Sequence, residues 1–131
     1  LHEMTIVTSK NHQNEQLKNL IDKINFKKVI EMGSVGCKIA SIVRGDSDIY
    51  ISLSLPNLSA PKDWDFAAPE AVLKAAGGAI TNLENEELTY NKLRFEQSGI
   101  IIATNNNQIH KEICSSIKKI IRKYDILSFD Y

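Results

Sequence analysis

An α/β layered domain, with a mostly parallel or mixed sheet of about five strands flanked by helices, is predicted by two observations. Short β-branched runs alternate with stretches of helical period along the whole chain, which is the order a layered strand–helix domain requires. The helical stretches are also punctuated where they should end, by Gly45 and by the pair Gly77-Gly78. The size fits: 131 residues suit one domain with a core of its own, and 43% hydrophobic with 24% charged residues is ordinary for a globular protein.

Taken in order, Thr5 to Thr8 reads as a strand, and Leu17, Leu20, Ile21 and Ile24 recur at helical spacing, giving a helix over 14–24. Val29 to Met32 is a second strand. Val35, Ile39, Ile42 and Val43 mark a helix from near Ser34 to Gly45. Asp48 to Leu53 is a third strand, followed by a loop holding Pro56, Asn57, Ser59 and Pro61. A helix from about Trp64 to Ala76 then places Trp64, Ala68, Ala71, Val72 and Ala75 on one face. Ala79 to Thr81 is a short strand, and a brief one is expected at Leu88 to Tyr90. Gly99 to Ala103 is the most apolar run and is expected to be a central strand. A last helix starts near Asn106 as N-cap and buries Ile109, Ile113, Ile117, Ile120 and Ile121.

Charge excludes some functions. Sixteen basic residues balance sixteen acidic ones, which argues against a general nucleic-acid binder and leaves room for a local anion site. Cys37 and Cys114 stand far apart with no CxxC partner, so neither a zinc pattern nor a disulfide scaffold is present. Both are expected to be reduced and half-buried in a cytoplasmic protein. No apolar run approaches the roughly 18 residues that span a bilayer, and no leader is visible. The chain opens on Leu1, straight into a strand-like run, which suggests a piece of a longer protein.

Three segments could carry chemistry. Asp65, in Trp64-Asp65, sits at a helix start. Its ordinary reading is a first-turn aspartate favoured by the free amides and the dipole; the other is a carboxylate offered to a divalent cation. Pro69, further along, has no N–H to give to the carbonyl of Asp65. The second segment runs from Gly33 to Lys38. Two glycines bracket a strand-to-helix turn, and Ser34 with Lys38 could offer a hydroxyl, amides and a cation to one phosphate. The spacing is not that of a P-loop, and a serine N-cap with a solvated lysine explains it equally. The third is Ser9-Lys10-Asn11-His12, after the first strand, where α/β proteins place ligands and where ordinary polar turns also occur. His2 and His110 have no evident partner and are expected at the surface.

In this order the segments resemble the C-terminal half of the inositol-monophosphatase superfamily, and most nearly its 3'(2'),5'-bisphosphate nucleotidase branch. The residues that carry the resemblance are SKNH, GSVGCK, WDFAAPEAVLKAAGG and the later SGIIIAT. It implies that Asp65 is a metal ligand, that Ser9 and His12 contact the nucleotide, and that Gly33, Ser34 and Lys38 form a substrate-binding turn. Lys10 stands where arginine is usual, keeping charge but losing bidentate geometry, and Asn11 where serine is usual.

The family's Asp-Pro-x-Asp-Gly-Ser/Thr and Glu-Glu metal-binding motifs should lie in an N-terminal domain absent from this chain. There is no Asp-Pro pair here, and Glu86-Glu87 reads as solvated surface. The resemblance thus implies one C-terminal domain over 1–131, part of a magnesium-dependent, lithium-inhibited phosphatase for a small phosphate monoester. Its leading substrate is 3'-phosphoadenosine 5'-phosphate, and the chain should be inactive alone. An inositol- or sugar-phosphate phosphatase and a non-catalytic α/β module are the alternatives. Neither nucleic acid nor membrane is an expected partner. The missing domain should leave apolar surface open to self-association.

Overall fold

A computed structural model describes residues 1–9, 15–54, 63–88 and 99–126, with the backbone alone at residue 54 and at 63–65. The elements follow as β1 (Thr5–Ser9), α1 (Glu15–Ile24), β2 (Lys28–Met32), α2 (Val35–Arg44), β3 (Ile49–Ser54), α3 (Asp63–Ala75), β4 (Ala79–Asn82), β5 (Gly99–Thr104) and α4 (His110–Lys123). The sheet order is β2-β1-β3-β5-β4. β1 pairs in parallel with β2 and β3, while β5 runs antiparallel to β3 and β4. The sheet is therefore mixed, as the alternation of elements allowed.

Strand alternation divides the core in two. On one face Ile6, Ile49, Ile51 and Ile102 pack under α1 and α4, against Leu17, Leu20, Ile113 and Ile117. On the other, Val7, Tyr50, Ile101 and Ala103 pack under α2 and α3, against Ile39, Ile42, Phe66 and Leu73. Each fully buried side chain of this size contributes about 1.5–3 kcal/mol. β5 is central and nearly all buried, whereas β2 is an edge strand with Val29 49% exposed.

The helix ends follow local chemistry. Ser34 is the N-cap of α2, its Oγ accepting from the Cys37 amide at 3.0 Å, and Gly45 closes the helix at φ 85°. Gly78 is required for another reason. A Cβ there would stand 2.4 Å from the Thr104 carbonyl oxygen and 2.6 Å from Leu73 Cδ1, so only glycine lets α3 turn into β4.

Several expectations are corrected. The buried side of α3 is Phe66, Glu70 and Leu73, while Ala68, Ala71, Val72 and Ala75 are exposed; the helix is apolar on both sides, and the larger side chains win the core. Val43 and Ile109 are likewise partly open, at 40% and 36%. Asn106 caps only a preceding turn, its Oδ1 accepting from the Gln108 amide at 2.8 Å, and α4 begins at His110. Cys37 is exposed and Cys114 buried, neither being half-buried. Near Leu88 an isolated bridge joins Thr81 to Glu87, and residues 89–90, where the brief strand is expected, lie outside the described ones.

His110 is the largest departure. It is 1% exposed, with Nε2 2.7 Å from Thr81 Oγ1 and Nδ1 2.8 Å from Thr104 Oγ1. Thr81 Oγ1 also donates to the Asn82 carbonyl at 2.8 Å and Thr104 Oγ1 to the Asn106 carbonyl at 3.4 Å, so the ring bridges two hydroxyls that each have a second partner. Burial pushes the imidazole below its ordinary value and holds it neutral. One partner, Thr104, stands six residues upstream at the end of β5, and the other, Thr81, comes from β4. Burial likewise pushes the Cys114 thiol, one turn on, upward, so it is an inert packing group.

Candidate functional site

The parallel strands β1, β2 and β3 all end at one edge of the sheet. From there α1 departs over one face, and α2 and α3 over the other. That is a topological switch point, where open α/β sheets form a crevice at the carboxyl ends of their strands. The β1–β3 ladder covers only Ile6 with Ile49 and Val7 with Tyr50, and the strands then run on to Ser9 and Ser54 without further pairing to each other. Beyond Val7 the two strands leave a gap in the sheet at this edge.

Ser9 closes β1, is buried, and pairs in register with Met32, so it stands one residue from the Gly33–Ser34 turn across the β1–β2 ladder. Alternation puts Ser9 on the α2–α3 face, the same as Val7. α3 begins at this edge with Asp63, Trp64 and Asp65 in its first turn. The fold thus brings Ser9, Gly33, Ser34 and the backbone of Asp65 to one end of the sheet. The side chain of Asp65 is not described, and Lys10, Asn11 and His12 lie outside the described residues.

Lys38 departs from the solvated position that α2 periodicity allowed. It is 2% exposed, among the largest fully buried side chains. Its Nζ donates to the Gly33 carbonyl at 3.2 Å and lies 5.1 Å from the centre of the Tyr50 ring. The turn is therefore tied twice to its own helix, by Ser34 Oγ to the Cys37 amide and by Gly33 O to the Lys38 ammonium. Cys37 and Lys38 amides are used by Ser34, leaving those of Val35 and Gly36 as the first-turn donors without a ladder partner. Amides at a helix N-terminus backed by a buried ammonium make a favourable place for an anion.

Two participants escaped the sequence reading. Tyr50 supplies the aromatic face against Lys38, a pairing visible only once β3 lies beside α2. Thr8 Oγ1, just past the last β1–β3 pair but on the α1–α4 side of β1 by alternation, is among the described residues a buried hydroxyl with no hydrogen-bond partner. Neither carries a distinctive local pattern. Glu86 and Glu87 are exposed in the turn after β4, bonded to Asn82 and Lys74, as a solvated pair should be.

The described residues alone do not make a metal centre: no three carboxylate, imidazole or thiol groups among them lie together. Magnesium needs several oxygen ligands, more than any one carboxylate supplies.

The model of the inositol monophosphatase family matches residues 2–122. The chain belongs to that family. It is 29% identical over 119 residues to a mouse protein named 3'(2'),5'-bisphosphate nucleotidase 1, covering 88% of this chain and 37% of that protein. It is 35% identical over 97 residues to the CysQ nucleotidase of Buchnera aphidicola, covering 72% of this chain and 34% of that one. The fold matches Staphylococcal IMPase-II with inositol monophosphate bound at a TM-score of 0.69, with 22% identity, 96% of this chain and 45% of that chain covered. The same protein bound to 2'AMP matches at 0.61, with 19% identity and coverages of 95% and 47%. The chain thus spans less than half the length of these relatives, and among its described residues no helix is long and apolar enough to cross a membrane.

Proposed function

We propose that this chain is part of a magnesium-dependent phosphatase that removes the 3'-phosphate of 3'-phosphoadenosine 5'-phosphate, giving AMP and phosphate. The observation that carries this is the meeting of Ser9, the Gly33–Ser34 turn and the first turn of α3 at one switch-point edge. The nucleotidase names of the relatives supply the substrate class. In this reading the α2 amides and the turn braced by Lys38 bind a phosphate group, Ser9 and His12 contact the nucleotide, and the N-terminus of α3 adds its dipole. Asp65 is one ligand of a metal site whose other ligands lie outside these residues.

The test is a comparison of kcat/KM for the nucleotide and for inositol phosphate on the full-length protein. We expect the nucleotide to be preferred by at least about tenfold. A preference for inositol phosphate would overturn the substrate assignment and favour the second reading, an inositol-phosphate phosphatase, which the match to the inositol-monophosphate complex supports. The 131-residue chain should show no measurable turnover and at most weak magnesium binding, and robust activity in it would refute the placement of the remaining ligands elsewhere.

A further inference from the structure

We infer that Lys38 and Tyr50 act on a bound phosphate through the backbone: together they are positioning residues that fix the Gly33–Ser34 peptide with its amide turned to the ligand. At 2% exposure Lys38 is too deeply buried to meet a ligand itself. Its ammonium instead grips the Gly33 carbonyl at 3.2 Å. In a trans peptide such as this one, the C=O and the following N–H point in opposite directions. With the carbonyl held inward by Lys38, the Ser34 amide faces outward, on the exposed side of the turn where α2 begins. An ammonium on the carbonyl also polarises the peptide unit, which makes that N–H a stronger donor to an anion.

The peptide needs such an anchor. At Gly33 nothing lies within 4 Å of where a Cβ would stand, so no side-chain packing holds its backbone, and glycine is the residue that turns most freely. The Ser34 Oγ bond to the Cys37 amide sets the start of the helix, and the Lys38 bond sets the peptide before it. Tyr50 in turn keeps the ammonium in place. A lysine has a flexible four-carbon stem and ordinarily carries its charge to water. Here the ring of Tyr50, 2% exposed, lies 5.1 Å from Lys38 Nζ and offers its negative face to the charge. Tyr50 stands opposite Val7 in the last β1–β3 pair and opposite Ala103 of β5. The ring is thus carried on a paired part of the sheet, on the α2–α3 face, at the root of the gap between β1 and β3.

The inference rests on the reading of this turn as a phosphate site, and the test separates the two. It uses the polypeptide encoded by the whole gene and whichever monoester, the nucleotide or inositol phosphate, that polypeptide hydrolyses. Lys38→Met should raise KM about 10- to 100-fold and change kcat less than about threefold, as expected for a binding contact that substrate and transition state share. Tyr50→Leu should raise KM about tenfold, whereas Tyr50→Phe, which keeps the ring, should stay within about twofold of wild type. In the Lys38→Met background Tyr50→Leu should add less than about twofold, because it acts through the lysine. Acetylation in water, read by mass spectrometry, should modify the exposed Lys111 and Lys119 and spare Lys38, with or without substrate. Acetylation of Lys38 that substrate blocks would make it an exposed group touching the ligand and overturn the proposal. Additive effects of the two substitutions, a fall in kcat with KM unchanged, or unchanged KM in both variants of an active enzyme would overturn it too. If Tyr50→Leu does not fold, Lys38→Met and the acetylation pattern decide. A wild type that hydrolyses neither monoester removes the reading of the site, and the inference with it.

Discussion

The two helix layers differ in where they keep their polarity. α1 and α4 follow the usual arrangement, with leucine and isoleucine inward and charge outward. The α2–α3 layer is mixed: it buries Ile39, Ile42, Phe66 and Leu73 but also polar groups, and exposes Arg44 and Lys74 among small apolar residues. Lys38 and Glu70 are 2% and 7% exposed beneath it, while alanines and valines face away from the sheet. A buried ammonium needs partners, and Lys38 has them in the Gly33 carbonyl and the Tyr50 ring. Glu70 is joined by Lys74 at 3.3 Å, and Lys74 reaches on to Glu87 at 3.1 Å, the hydrogen bond that chiefly raises its pKa. The lesson is that helical periodicity marks the buried side of a helix only where its two sides differ in polarity.

The comparison can be broken most directly through the anchors of each layer. Phe66→Ala, at a side chain with 0% exposure, should destabilise the 131-residue chain by about 3–5 kcal/mol in urea unfolding. A loss below about 1 kcal/mol would mean that the alanine side of α3, not the Phe66 side, meets the sheet. His110→Ala should cost about 2–4 kcal/mol, because it opens a cavity and leaves the Thr104 and Thr81 hydroxyls without the ring. Gly78→Ala should cost about 2–3 kcal/mol, through collision with the Thr104 carbonyl.

Acid should act through the α4 layer. The native imidazole of His110 lies below the 6.5 of an unfolded histidine, so its contribution is complete above that pH and declines as pH falls from there toward the native value. Wild-type stability followed against pH should show this decline, and a His110→Gln variant should lack it. The smallest effects belong to the outer faces. Ala71→Glu and Ser116→Glu should each change the stability of the isolated chain by no more than about 0.5 kcal/mol. A large loss for Ala71→Glu alone would show that its face is already covered in the 131-residue chain.

The same contrast explains what could be read from the sequence. α1 and α4 alternate charge with isoleucine or leucine, so their period has one phase, and Leu17, Leu20, Ile24, Ile113, Ile117 and Ile121 fall inward as expected. α3 has alanine on nearly every side, so its period has no clear phase, and only the packing of Phe66 and Leu73 fixes which side meets the sheet. The strand order was legible only as a class, because the insertion of β5 between β3 and β4 depends on pairing across the chain. Of the candidate site, the positions of Gly33 and Ser34 were legible from the strand-to-helix turn. The burial of Lys38 was not, since lysine at helical spacing ordinarily reads as solvated and Tyr50 arrives from another element. His110 failed for the same reason: both its partners are threonines, brought to it by β4 and β5.

The position of β5 also sets an order of assembly. β5 pairs with β3 across 45 to 55 residues, from Ser54 with Gly99 to Ile49 with Thr104, and β4 reaches the sheet through β5 alone. During synthesis from the N-terminus, β2, β1 and β3 can align as soon as they emerge, but β4 has no strand to join until Gly99–Thr104 has been made. A chain stopped short of Gly99 would keep the parallel edge bearing Ser9 and Gly33 and lose the support for β4, so the last strand to be made is the one that completes the sheet.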